Sequence, residues 1–326
     1  MASNGCPTRR STCRPGSKIS ARCTPEPKNR RRRPTLSERI GLSPLGVGAP
    51  IWANRDWVGR SLPHDTAIGR ELEAYGRVCN AVEGNTTFYA TPDLATVERW
   101  RTATPAGFRF VLKLPREITH DRRLRDVDRL LADFLGRLDP LNDRMGPVLV
   151  QLPATFGPAD LDVLDAFLDR ASTTVRWAVE VRHRAFHPGG DAERPLNDML
   201  HAHGVNRVMF DSRPVFDGPR ETPEEIEAWE RKPRLPVRAV ATADEPIVRF
   251  IGQTDGAANP RYWTPWLDAV SRWLEQGRRP VVFLHTPDNL VAPELCRRFH
   301  AEVVAQTGIE PLPTPPPVAE QQGFGL

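Results

Sequence analysis

Residues 108–115 read FRFVLKLP, residues 125–138 read RDVDRLLADFLGRL, and residues 147–153 read PVLVQLP. The outer two stretches are short, nearly continuous apolar runs, as expected of strands buried on both faces of a parallel sheet. The middle one places Val127, Leu130, Leu131, Phe134, Leu135 and Leu138 at steps of three and four, the stripe of an amphipathic helix. Strand, helix, strand is one βαβ unit, and the chain repeats it in both directions.

Towards the C-terminus the reading continues with a helix over Ala159–Ala171 opened by Pro158, and a strand over Val175–Val181. A helix over Pro195–His203, closed by Gly204, and a strand over Val205–Phe210 follow. Ser212–Asp244 is rich in proline and charge and reads as a loop insertion with one short helix near Pro223–Glu230. Ile247–Ile251 and Pro280–Leu284 are the last strands, Trp263–Gln276 and Ala292–Gln306 the last helices. Towards the N-terminus stand strands at Leu45–Trp52 and Val78–Val82, with helical spacing at Thr66–Gly76 and Leu94–Arg101. Eight such pairs predict an α/β chain folded as a closed (β/α)8 TIM-type barrel with a parallel sheet. An open doubly wound sheet is the alternative, weakened by the absence of a GxGxxG or P-loop pattern.

The 326 residues carry a net charge of +4, unevenly spread. Residues 1–39 hold 11 Lys/Arg and 2 Asp/Glu; the other 287 hold 34 and 39. The expected organisation is a basic disordered tail over 1–39, a barrel domain over 40–308 with the insertion 212–244, and a Pro-rich disordered tail over 309–326. The first tail has no apolar core of a signal peptide. It reads as a disordered extension, a start codon set too early, or an arm for nucleic acid. Cys6, Cys13 and Cys23 match no zinc spacing, and Cys79 and Cys296 form no disulfide framework, so a reducing cytoplasmic setting is expected. No apolar run approaches a membrane span, so no membrane partner is expected.

Barrel enzymes place reactive groups where strands end. After the eight runs stand Trp52, Asn54 and Trp57; Glu83, Asn85, Thr87 and Tyr89; Lys113, Arg116 and His120; Gln151; Glu180, Arg182 and His183; Asp211 and Arg213; Arg249 and Gln253; and His285, Asp288 and Asn289. Lys113, Glu180 and Arg249 lie within or at the edge of apolar strands, where an unpaired charge is costly. They are therefore expected, with Glu83 and Asp211, to face one polar pocket and compensate one another. The competing reading is a structural ion-pair network with no ligand. Lys113, Arg116, Arg182 and Arg249 suit a phosphate or carboxylate. Glu180 is expected as general base, His183 and Asp211 as proton-handling or orienting groups, and Lys113 as the fourth catalytic residue. Glu83, Asn85, Tyr89, Arg116, His120, Gln151, Arg182, Arg249, Trp52, His285 and Asp288 are expected to contact substrate.

His120, Glu180, His183, Asp211 and His285 are of metal-ligand type, but Arg182 and Lys113 would repel a dication and no HxH or HExxH spacing occurs, so no metal or other cofactor is expected. No nicotinamide or flavin fingerprint is present. The sequence predicts a hydrolase or isomerase acting on an anionic, phosphorylated small molecule. The alternatives are a protein that binds nucleic-acid backbone or processes phosphodiesters, and a barrel without catalysis serving as sensor or scaffold.

Several segments resemble the YecE-like family, domain of unknown function 72: Val82-Glu-Gly-Asn-Thr-Thr-Phe-Tyr89, Lys113-Leu-Pro-Arg-Glu-Ile-Thr-His120, Gly146-Pro-Val-Leu-Val-Gln-Leu-Pro153, Ala178-Val-Glu-Val-Arg-His183, Asp211, and the Trp52/Trp57 pair. The resemblance runs from about Gly46 to Gln306. It implies a TIM-type barrel and a cytoplasmic prokaryotic protein, and names no activity. Three places depart from the family pattern: Ile51-Trp52 for Gly-Trp, Arg249-Phe-Ile251-Gly for Arg-x-His-Gly, and His285-Thr-Pro-Asp288 for Asn-Asn-Asp.

Overall fold

The computed structural model describes residues 43–171 and 175–318; the basic tail over 1–39 lies outside them. Eight parallel strands run in chain order: β1 (Gly46–Gly48), β2 (Ala81–Gly84), β3 (Arg109–Leu112), β4 (Val148–Gln151), β5 (Trp177–Glu180), β6 (Asn206–Asp211), β7 (Ile247–Ile251) and β8 (Val281–His285). Between and after them lie α1 (Glu71–Tyr75), α2 (Leu94–Ala103), α3 (Asp128–Leu138), α4 (Leu161–Arg170), α5 (Glu193–Ala202), α6 (Arg213–Asp217), α7 (Pro223–Arg231), α8 (Pro260–Glu275) and α9 (Ala292–Thr307). The apolar stripe of α3 buries Leu131, Phe134 and Leu138, and that of α4 buries Leu164, Phe167 and Leu168. Alternate strand residues point to opposite faces. Val82, Phe110, Leu112, Val150 and Val179 therefore join the helices in one core, while Ala81, Val111, Leu149, Ala178, Val208, Ile247, Val281 and Phe283 form a second cluster on the other face.

The closed eight-stranded barrel expected from the alternation does not form. The ladders make a six-stranded sheet in the order β1-β8-β7-β6-β5-β4 and a separate two-stranded sheet, β2-β3. Both seams have a local cause. Beside β1 the backbone keeps one bond, from Glu83 N–H to the Ala49 carbonyl at 3.1 Å, and side chains take the rest of the ladder's place: Val47 N–H donates to Asn80 Oδ1 at 2.8 Å, and Ala49 N–H to Tyr75 Oη at 2.7 Å. Tyr75 Oη in turn donates to the Ala81 carbonyl at 2.9 Å. Gly48 has no room for a side chain, since a Cβ there would lie 1.9 Å from the Ala81 oxygen. Between β3 and β4 only isolated bridges occur, Phe110 with Met145 and Lys113 with Leu149. Leu149 faces β3, its carbonyl accepting from Leu114 N–H at 3.0 Å. Pro147 has the same parity and no N–H to give.

The insertion after β6 holds α6 as well as the expected α7. Thr222 caps α7, accepting from Glu225 N–H, and the Glu225 carboxylate returns to Thr222 N–H at 3.2 Å. Near the Pro-rich end, Leu312 packs on the core and Arg297 donates to the Pro313 carbonyl at 3.0 Å.

Tyr75→Phe leaves the Ala49 N–H and the Ala81 carbonyl without the hydroxyl that joins them. We expect it to cost about 1–3 kcal/mol in urea denaturation; a smaller loss would mean that the seam does not depend on this bridge.

Candidate functional site

Two residues beyond the second apolar cluster, six of the strands turn polar on the same face. Ala81 is followed by Glu83, Val111 by Lys113, Leu149 by Gln151, Ala178 by Glu180, Ile247 by Arg249 and Phe283 by His285, while Val208 is followed by Phe210. The period of two thus puts one polar layer on one apolar layer. Arg249 occupies its centre. Its Nε and Nη2 donate to Glu83 Oε2 and Oε1 at 2.6 and 2.8 Å, and its Nη1 donates to Glu180 Oε2 at 2.6 Å. Lys113 Nζ donates to Gln151 Oε1 at 3.0 Å and lies 3.3 Å from Glu83 Oε1. Arg182 pairs with Glu180 Oε1 at 2.6 Å. The guanidinium carbons of Arg182 and Arg249 stand 4.6 and 5.2 Å from the centre of the Phe210 ring.

Both carboxylates are fully buried. Burial would raise the Glu83 carboxyl, but Arg249 and Lys113 outweigh it and hold it well below the ordinary range. Burial also acts upward on Glu180, and Arg182 and Arg249 bring it down to about 2. The Lys113 ammonium is pulled down to about 8 by burial and by Arg249, against the opposing pull of Glu83 and Glu180. His285 is buried with Nε2 3.6 Å from Glu83 Oε2 and no hydrogen bond to that nitrogen; burial lowers it to about 4, so it is neutral at pH 7.

Lys232, which the sequence reading passed over, is half-buried at the edge of this layer, near enough for its charges to act on it. It follows α7, and Ser212, just past β6, holds the next residue by donating to the Pro233 carbonyl at 2.6 Å. Its ammonium is lowered by burial and by the charges of Arg249 and Arg182, against Glu83 and Glu180. Its backbone N–H donates to the Ala228 carbonyl at 2.9 Å, while its ammonium makes no hydrogen bond or ion pair with any described residue. Lys113, Arg182, Arg249 and Lys232 therefore face two carboxylates, an excess of two positive charges.

The other expected residues divide. Asp211 is not brought to the layer: Phe210 points in, so its neighbour points out. There Asp211 accepts from Arg213 at 2.9 and 2.7 Å and from Trp266 Nε1 of α8 at 2.8 Å. His183 caps a short turn, its Nδ1 accepting from Ala185 N–H at 3.2 Å. Asn85 donates to the Pro50 carbonyl, and Asp288 accepts from Thr286 and Leu290 within its own loop. Trp52 packs edge-on against Trp100 and Phe110. Arg116 is exposed and pairs with Asp121. His120 lies in a π-turn (Glu117–Asp121), its Nδ1 2.9 Å from Thr119 Oγ1 and its ring 5.0 Å from Phe88. Burial and Arg116 lower its basicity, with smaller contributions from Arg182 and Lys113. Tyr89 is 82% exposed. Among the described residues, no three His, Cys, Asp or Glu side chains gather as a metal-holding group.

Glu83→Gln removes half of the charge that compensates Arg249, and we expect a loss of roughly 3–5 kcal/mol in chemical denaturation. Arg116→Ala, at an exposed pair, should cost no more than about 1 kcal/mol. Acid should act in two stages. His285 and His300 sit at about 4 in the folded chain against an ordinary 6.5, so the unfolded chain takes up more protons below pH 6.5 and stability declines. Glu180, at about 2 against 4.5, adds a second decline as pH falls from 4.5 towards 2. A denaturation midpoint that stays flat from pH 7 to 4 would contradict the first stage.

Comparison with known proteins gives a consistent result. The family described as "Protein of unknown function DUF72" matches residues 46–320. The UPF0759 protein YecE of Escherichia coli K12 is 43% identical over 249 residues, covering 76% of this chain and 89% of that protein. A solved DUF72 family protein from Thermotoga maritima superposes with a TM-score of 0.60 at 20% identity, over 78% of this chain and 97% of that one. Another, from Enterococcus faecalis, gives 0.57 at 18% identity, over 82% and 96%. At such identities the structures speak for the fold alone. The chain belongs to the DUF72 family of proteins of unknown function.

Proposed function

We propose that this protein binds a small anionic, phosphorylated molecule over the carboxyl ends of its strands and acts on it as a hydrolase or isomerase. The observation that carries this reading is the excess of two positive charges in and beside the buried layer, with no carboxylate of the described residues in an ion pair with Lys232. Self-compensating structural networks do not need a surplus cation, and an unpaired ammonium near two guanidinium groups is repelled by both. A phosphate dianion would remove that repulsion. Arg182, with 19% of its side chain exposed, and Lys232 form the reachable edge of the layer.

Chemistry then falls to the groups that can exchange a proton near neutral pH. Glu180 is engaged by two arginines and holds its proton too weakly for a general base. Lys113, at about 8, suits that role better. A second reading, an anion sensor without turnover, draws support from the arginines that saturate Glu83, Glu180 and Asp211. The nucleic-acid reading leans on residues 1–39, outside the described chain. No helix among the described residues is long and apolar enough to cross a membrane. Together with the likeness to a bacterial protein, that favours a cytoplasmic setting.

Inorganic phosphate at constant ionic strength should raise the melting temperature of the full chain, where chloride does not. Lys232→Ala should weaken phosphate binding about tenfold or more, the worth of a charge-assisted contact. It should change the unliganded melting temperature little, because it removes the repulsion from Arg249 and Arg182 together with the weaker attraction to Glu83 and Glu180. Equal affinity in wild type and variant by titration calorimetry, or no phosphate effect at all, would overturn the proposal.

A further inference from the structure

The chain uses arginine at 41 of its 45 basic positions. Its four lysines are Lys18, Lys28, Lys113 and Lys232. The first two lie outside the described residues. Every other cation between residues 43 and 318 is arginine or histidine, and both lysines of that span are acted on by the same four charges, Arg249, Arg182, Glu83 and Glu180. Arginine supplies charge and bidentate contacts at least as well, but it does not deprotonate in proteins. In a chain that otherwise builds with arginine, a lysine at the centre of the layer points to chemistry that needs a neutral amine.

The geometry agrees. Lys113 stands at the carboxyl end of β3, with Nζ between Gln151 Oε1 at 3.0 Å and Glu83 Oε1 at 3.3 Å, and its side chain retains 9% exposure. Arg249 adjoins it through the shared Glu83 carboxylate. A desolvated lysine beside a second cation is the setting in which amines act as nucleophiles towards carbonyl carbon.

We propose that Lys113 is the covalent catalytic residue of this site, condensing with the carbonyl of a small aldehyde or ketone whose anionic group rests against Arg182 and Lys232. This rests on the anion-binding reading above and names its substrate class. The neutral amine adds to the carbonyl carbon, and the C=O π pair passes to oxygen, which receives one proton from nitrogen. That hydroxyl then leaves as water with the second nitrogen proton, while the nitrogen lone pair completes the C=N bond. One water is released, and no oxidant or reductant takes part. Once protonated, the imine is a cation, and Glu83, kept ionised by Arg249, accepts its N–H. An imine acidifies the adjacent C–H, as an isomerase requires.

The test uses the full chain with glyceraldehyde 3-phosphate, glyoxylate or unphosphorylated glyceraldehyde, each with sodium cyanoborohydride, followed by peptide mapping. We expect one dominant reduced adduct at Lys113, formed at least about tenfold faster with the anionic aldehydes. Its rate should rise as pH passes through about 8 and fall with excess inorganic phosphate. The phosphate and carboxylate arms show which anion the site prefers. Adducts spread evenly over Lys18, Lys28, Lys113, Lys232 and the terminal amine would overturn the inference. Phosphate binding without a Lys113 adduct sinks the imine and leaves the anion reading standing. A Lys113 adduct formed equally fast with neutral glyceraldehyde and indifferent to phosphate upholds the nucleophile but removes the anion reading and the role given to Arg182 and Lys232.

Discussion

One guanidinium holds this molecule's interior together. Arg249 on β7 reaches Glu83 on β2 through two hydrogen bonds and Glu180 on β5 through a third. β2 belongs to the two-stranded sheet, β5 and β7 to the six-stranded one. The ion pair with Glu83 therefore joins two sheets across a region where the backbone ladder is broken. Each of the three charges would be prohibitive to bury alone; Arg249 is made tolerable by the two carboxylates, Glu83 by Arg249 and Lys113, and Glu180 by Arg182 and Arg249. Burial and attraction compete at every one of them, and in each case the charged form prevails.

The layer around Arg249 is more cationic than its own stability requires. Two carboxylates suffice for Arg249, yet Lys113, Arg182 and Lys232 are packed nearby. Lys232 arrives from the insertion after β6, on a segment anchored by Ser212 and by the cap of α7. The insertion thus contributes a charge to the layer, which a mere loop extension would not. Burial lowers the proton affinity of Lys113 and Lys232 first, and the neighbouring guanidinium groups of the same surplus lower it further, so recognition of an anion and availability of a neutral amine share part of their electrostatic origin.

Membership of the family and the likeness to solved relatives tell the fold and leave the chemistry to this chain's own residues. Asp211 illustrates the distinction. It stands at a strand end, as a catalytic carboxylate would, yet its partners are Arg213 and the indole of Trp266, so it fastens α8 to β6. Arg182 and Glu180, two residues apart, share one face, while His183, one step further, turns to the opposite side and caps a turn.

Local pattern was enough to locate every strand, because a short apolar run in a parallel sheet is buried whatever its neighbours are. It was also enough to single out Lys113, Glu180 and Arg249, since a charge inside such a run demands a partner. Closure of the ring was beyond its reach. That depended on Tyr75 and Asn80 capturing the edge of β1 and on Pro147 lacking an amide hydrogen where β4 meets β3, events between segments far apart in the chain. Likewise Asp211 and Arg249 look alike as charges on apolar strands, and the parity of each strand against its neighbours sent one outward and one inward. Lys232 gave no local signal at all, because its environment is assembled from strands whose positions along the chain say nothing about their distance in space.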